Sequence, residues 1–182
     1  MSAFDRIIGY DHIKAELMQI SDMIHHPEVY AALEAKLPQG LLLSGEPGLG
    51  KTLMATALME DSGLPCFTVR RSQSEDEFLK QLAHTFDEAA EVAPSMLLLD
   101  DMDKFSSDEF STAAFTAVQS CIDKVQEKQV FVIATVNNVK ELPDSLLRCG
   151  RFDRQIKVQR PNCTDGEQII RRYLSGKAPV PD

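Results

Sequence analysis

The chain has 182 residues, of which 43% are hydrophobic, enough for one domain with a full core of its own. Nineteen basic against 28 acidic residues give a net charge of −9. That balance argues against general nucleic-acid binding, which needs a basic footprint, and leaves only a local basic patch around Arg148, Arg151 and Arg154. The N-terminus reads as no signal peptide, because Ile7-Ile8 is far too short for an apolar core, and no apolar run approaches membrane-spanning length. Cys66, Cys121, Cys149 and Cys163 lack metal-ligand or redox spacing and read as reduced structural thiols of a cytoplasmic protein.

In chain order, Ile13, Leu17, Ile20 and Ile24 recur at helical spacing, and that helix stops before Pro27. Leu41-Leu42-Leu43 is a short apolar strand that runs into a glycine cluster at Gly45, Gly48 and Gly50. A helix-favouring run follows from Leu53 to Glu60. Cys66 to Val69 is a second strand, after a turn at Gly63 and Pro65. Ser74 and Glu77 form a capping box for a helix whose core stripe is Phe78, Leu79, Leu82, Phe86 and Ala89. Met96 to Leu99 is a third strand. Ser106 and Glu109 offer a second box, for a helix with Phe110, Ala114, Val118, Cys121 and Val125 on one face. Val130 to Ala134 is a fourth strand and Gln155 to Val158 a weaker fifth. Continuous rather than alternating apolar strands suit a parallel sheet covered on both faces, and strands alternating with helices give a βαβ architecture with right-handed crossovers.

Gly45 to Thr52, GEPGLGKT, matches the pattern G-x-x-x-x-G-K-[ST] and has the context that pattern requires, a strand before it and a helix after it. Glycines let backbone N–H groups turn toward phosphate, and the helix N-terminus adds its dipole. Lys51 is placed to reach the β- and γ-phosphates and the Thr52 hydroxyl to bind Mg²⁺. The expected nucleotide-binding set is Gly45, Glu46, Pro47, Gly48, Leu49, Gly50, Lys51, Thr52 and Leu53, with ATP or ADP as ligand. The chemistry needs acids at the end of a second strand, and Met96 to Asp101, MLLLDD, supplies them. Asp100 is the expected metal-side carboxylate, acting through a bound water. Asp101 is expected to polarise the attacking water.

Further segments resemble a known family. Ile8-Gly9-Tyr10-Asp11, Asp22 to Tyr30 (DMIHHPEVY), Ala35 to Pro38 and the phosphate loop resemble the opening of the AAA+ ATPase module of FtsH-type proteases. Asp100 to Asp103 resembles that family's acidic strand end. Asn137 and Leu146 to Arg154 (LLRCGRFDR) resemble its second region of homology. The match runs from about Ile8 to Tyr173. It implies a three-layer αβα sandwich with a five-stranded parallel sheet in the order 5-1-4-3-2. The expected division is a nucleotide-binding subdomain over residues 1–160, then a hinge and the start of a truncated helical lid over 161–182. By the same resemblance, backbone at Ile8 and Gly9 holds adenine, Asn137 senses the γ-phosphate and orients water, and Arg148 and Arg151 act as arginine fingers. A ring, by resemblance a hexamer, and a polypeptide substrate are implied as partners. No nucleic acid and no membrane contact by this segment are expected, and a full-length protein could be membrane-anchored.

Three departures from the family pattern stand out. Asp101 replaces the usual glutamate and is one methylene shorter. The stretch where the family carries an aromatic pore loop reads RRSQSEDE, Arg70 to Glu77, without aromatic or glycine. Gly166 to Ser175 would begin the lid, and the protease motif H-E-x-x-H does not occur among His12, His25, His26 and His84. The chain is therefore expected to be a segment of a longer protein. The leading expectation is ATP hydrolysis that drives conformational work. The competing ones are an ATP-binding assembly module with little turnover, favoured by Asp101 and the altered stretch, and a nucleic-acid-handling ATPase, disfavoured by charge.

Overall fold

A computed structural model describes residues 2–35, 37–71, 74–105, 111–148 and 150–175. Five strands form one sheet: β1 (Gly40–Ser44), β2 (Cys66–Val69), β3 (Ser95–Leu99), β4 (Val130–Val136) and β5 (Arg154–Lys157). Every pairing is parallel and the spatial order is β2-β3-β4-β1-β5, which is the expected order read from the other edge. The helices are α1 (Asp11–His25), α2 (Pro27–Ala32), α3 (Lys51–Ser62), α4 (Glu75–Glu91), α5 (Ser111–Val125) and α6 (Cys163–Leu174).

Strand residues alternate between two cores. Leu42, Leu97, Leu99, Val130, Val132, Ala134 and Val136 face the cluster that includes Phe78, Leu82 and Phe86 of α4 and Phe115, Val118 and Ile122 of α5. Leu41, Leu43, Met96, Leu98, Phe131 and Ile133 face Ile13, Leu17 and Ile20 of α1 and Met54 and Leu58 of α3. Residues on both faces of β1, β3 and β4 are therefore removed from water, which explains their continuous apolar runs. The result is an αβα sandwich.

Most predicted elements occur where the spacing puts them. Ser74 accepts from the Glu77 N–H and caps α4, which is one half of the expected box. Pro27 does not simply end a helix: it also opens α2, where a missing N–H costs nothing. Strand β5 lies one residue earlier than its apolar pattern suggested, and α6 starts at Cys163 because Asn162 and Asp165 form a capping box there. The second predicted box, Ser106 with Glu109, and Phe110 lie outside the described residues, as do Lys36, Cys149, the Ser72-Gln73 part of the Arg70–Glu77 stretch and the residues after Ser175. Cys66, Cys121 and Cys163 are free thiols. His25 and His26 are exposed at the end of α1 and the α1–α2 junction. Among the described residues no helix is long and apolar enough to cross a membrane.

Candidate active site

Adjacent strands β3, β4 and β1 point their carboxyl ends the same way, and each is followed by one of the predicted motifs. This is the end of an open α/β sheet at which ligands bind. A cavity of about 500 Å³ opens there, lined by Pro47, Gly48, Gly50, Lys51 and Thr52 with Asp101, Lys104 and Asn137. A larger apolar groove of about 860 Å³ lies at the opposite, amino ends of the strands, where Gln39, Ser95 and Phe131 sit.

The loop after β1 has little freedom at its first residue. Gly45 has φ 152°, and a Cβ there would come 2.1 Å from the Val158 carbonyl oxygen, so only glycine fits beside β5. Gly45 N–H donates to the Val136 carbonyl, which holds the loop's base against β4. Lys51, the first residue of α3, is 5% exposed. Its Nζ donates to the carbonyls of Gly45 (2.7 Å) and Glu46 (2.9 Å) and to Oδ1 of Asn137 (3.0 Å). Burial pushes the Lys51 ammonium below its ordinary range, opposed by the nearby Asp101, Asp103 and Asp100. Glu46 also pairs with Arg160, beyond β5, at 2.8 Å. Leu53 is partly exposed on α3.

The two aspartates after β3 have different surroundings. Asp100 is 4% exposed. Its Oδ1 accepts from the hydroxyls of Thr52 (2.8 Å) and Thr135 (2.7 Å), and its Oδ2 accepts from Nε (2.9 Å) and Nη2 (2.8 Å) of Arg70. Asp101 is partly exposed, adopts the left-handed backbone (φ 55°) that aspartate tolerates better than most residues, and pairs with Lys104 at 2.6 Å. Its N–H donates to the Thr135 hydroxyl at 2.8 Å. The pairing with Asp101 raises the Lys104 ammonium above its ordinary range. Asn137, just beyond β4, is held from both sides: Oδ1 accepts from Lys51 while Nδ2 donates to Asp103 at 2.7 Å. Thr52 and Asp100 bring a hydroxyl and a carboxylate within 2.8 Å of each other, a pair of hard oxygen donors of the kind Mg²⁺ takes beside phosphate oxygens, so the residues present fit that ion.

Two predicted groups lie apart from this cluster. Gly9 is buried with φ 71°, a Cβ there would meet that of Asp165 at 2.9 Å, and the next N–H, of Tyr10, donates to Asp165 at 2.8 Å. Ile8 and Gly9 are thus fixed against the start of α6, and the turn before them packs on α3. Burial, with the Asp165 charge adding to it, raises the Tyr10 phenol above its usual range. Arg151 is turned onto its own chain. Its Nε and Nη2 grip Asp123 of α5 at 2.9 and 2.7 Å, and Nη1 donates to the Ser145 carbonyl at 2.5 Å. Arg148 is exposed, and its side chain has no ion-pair partner among the described residues.

Sequence reasoning missed Arg70, Asp103, Lys104, Thr135, Asp123 and Asp165. Two of them left a signal: Asp103 belongs to the acidic strand end Asp100 to Asp103, and Thr135 is a hydroxyl inside the otherwise apolar run Val130 to Val136. Strand register explains its role: Leu99 pairs with Ala134, so Thr135 stands level with Asp100.

A parallel sheet with a glycine loop at one strand end, an acidic pair at a second and an amide at the end of the strand between them defines a P-loop nucleotide-binding protein. Residues 41–160 match the family described as ATPase family associated with various cellular activities (AAA), and the chain belongs to that family. It is similar to the ATP-dependent zinc metalloprotease FtsH of Ureaplasma parvum, 32% identical over 185 residues that cover 96% of this chain and 26% of that protein. Similar values hold for FtsH of Acidothermus cellulolyticus (32% over 194 residues, 98% and 29%) and for the chloroplastic FTSH 5 of Arabidopsis thaliana (32% over 189 residues, 96% and 27%). The chain therefore spans between a quarter and a third of the length of these relatives.

Proposed function

We propose that this chain binds and hydrolyses Mg·ATP as the motor part of an FtsH-like ATPase that works as a ring, a hexamer by resemblance, on polypeptide. The observation that carries this reading is the two hydrogen-bonded pairs Asn137–Lys51 and Thr52–Asp100, side by side at the carboxyl ends of three neighbouring strands. Lys51 exchanges its carbonyl partners for β- and γ-phosphate oxygens, which suit its charge better. Thr52 and Asp100 would hold Mg²⁺, which when bound neutralises charge on the phosphates. Asp101 acts on the attacking water, and Asn137, oriented by Asp103, presents its amide to that water or to the γ-phosphate. Ile8 and Gly9 offer backbone groups to the base. Residues 1–160 form the nucleotide-binding unit, and 161–182 begin a lid of which α6 is the first helix. Arg148 is the finger toward a neighbour's site, because it is exposed while Arg151 is engaged at Asp123. Such a charge is worth on the order of 10³–10⁵ in rate.

A second reading, a nucleotide-binding switch with little turnover, is favoured by one observation: Lys104 already occupies the Asp101 carboxylate at 2.6 Å. The deciding experiment mixes Lys51→Ala subunits, which cannot bind nucleotide, with Arg148→Ala subunits, which cannot supply a finger. Hydrolysis recovered in the mixture supports a motor acting in trans. A wild type that binds ATP with no turnover at any protein concentration supports the switch.

A further inference from the structure

The stretch Arg70 to Glu77 lacks an aromatic pore loop, yet its first residue reaches the centre of the site. Strand β2 ends at Val69, which pairs with Leu99, and Asp100 N–H donates to the Val69 carbonyl at 3.0 Å. This register sets Arg70 beside Asp100, and both Nε and Nη2 fall on the same carboxylate oxygen, Oδ2. The Arg70 side chain is 66% exposed although its partner is 4% exposed. A buried carboxylate needs a compensating charge. Thr52 and Thr135 give Asp100 hydrogen bonds without charge, Lys104 is engaged by Asp101, and Lys51 donates to two carbonyls and an amide. The guanidinium is therefore the cation directly on the acid proposed to face the metal.

We infer that Arg70 is a positioning residue on the metal side of the site: it is the standing counter-ion of Asp100, and its charge sets how much Mg²⁺ the site needs. The inference rests on the reading of Asp100 as the metal-side carboxylate. A cation on Oδ2 lowers the negative potential that a divalent ion meets there. Because the guanidinium is mostly solvated on its outer side, it can leave the carboxylate without being stranded in an apolar interior. Solvent screening keeps the effect moderate.

The test measures binding of a fluorescent ADP analogue to the full chain as free Mg²⁺ is titrated, with affinity in excess chelator as the metal-free reference. Arg70→Gln should lower the half-saturating Mg²⁺ concentration on the order of three- to tenfold, since a unit charge a few ångströms away is worth about that much after screening. Affinity in chelator should stay within about twofold. Arg70→Met, which keeps the aliphatic stem, should do the same if the glutamine variant folds poorly, and thermal melts establish folding. Arg70→Lys keeps the charge without the fork and should retain the wild-type Mg²⁺ requirement. A wild type that responds to Mg²⁺ while the neutral variants need as much or more would overturn the inference alone. A wild type whose affinity ignores Mg²⁺ would overturn the metal reading of Asp100, and the inference with it.

Discussion

Asn137 and Lys51 are joined directly, Oδ1 accepting from Nζ at 3.0 Å, although 86 residues separate them. Asp103 grips the other end of the same amide at 2.7 Å. The amide's orientation is therefore set, with its oxygen toward the phosphate-loop lysine and its nitrogen toward Asp103. Asn137→Ala should lower ATP hydrolysis on the order of 10²-fold, the scale for losing one aimed polar group. Nucleotide affinity should change only a few-fold, because Lys51 remains able to turn from the loop carbonyls of Gly45 and Glu46 to phosphate oxygens. Steady-state hydrolysis beside a nucleotide titration checks the split, and a loss confined to affinity would remove Asn137 from catalysis.

Arg148 and Arg151 should separate in their effects. Arg151→Ala removes a bidentate ion pair and a bond to a carbonyl, and should cost about 1 kcal/mol given the partial exposure of Asp123. For a chain of this size that is a fall in Tm of roughly 2–4 °C. Arg148→Ala should leave the melt unchanged and abolish any rise of specific activity with protein concentration.

The same pair carries a pH signature. Arg151 holds the Asp123 carboxyl below its ordinary range, first by hydrogen bonding and then by charge. A lowered folded-state pKa gives stability that is present above the unfolded value and lost as pH falls through the folded one. The stability gap between wild type and Arg151→Ala should therefore be full near neutrality and narrow below about pH 4. Denaturant midpoints at several pH values measure it, and a gap that widens with acid would contradict the assignment.

Phe78 is 1% exposed and its ring packs on Phe105 at 4.7 Å between centroids, tilted by 60°. It is a core residue, not a substitute for the missing pore aromatic. Phe78→Ala should cost about 3–5 kcal/mol, and calorimetry should show a Tm lower by roughly 10 °C. An unchanged melt would remove Phe78 from the core.

Asp165 ties the start of α6 to the turn at Gly9 and Tyr10. Asp165→Ala leaves the buried Tyr10 N–H without its acceptor and should cost about 1–3 kcal/mol. Asp165→Asn keeps an acceptor oxygen at that place and should lie closer to wild type. Chemical denaturation of the two variants distinguishes a lost hydrogen bond from a lost charge.

The elements that carry chemistry by local pattern were legible in the chain itself. Gly45 to Thr52 needs only its own glycines, lysine and hydroxyl in sequence, and buried parallel strands announce themselves as apolar runs such as Met96 to Leu99. Asp100 and Asp101 could be placed because they end such a run, whereas Asn137 was singled out only by the resemblance of its segment to the family's second region of homology. What each of these groups touches was decided by the tertiary structure. Arg70 meets Asp100, Thr135 bridges Asp100 and Asp101, Asp123 claims Arg151, and Asp165 caps Tyr10. The partners in these contacts lie from 28 to 155 residues apart. A polar side chain at a strand end carries no mark of its partner in its own neighbourhood. The partner is fixed by strand order, by parallel register and by helix packing, all of which are settled by burying apolar surface far from the charges themselves.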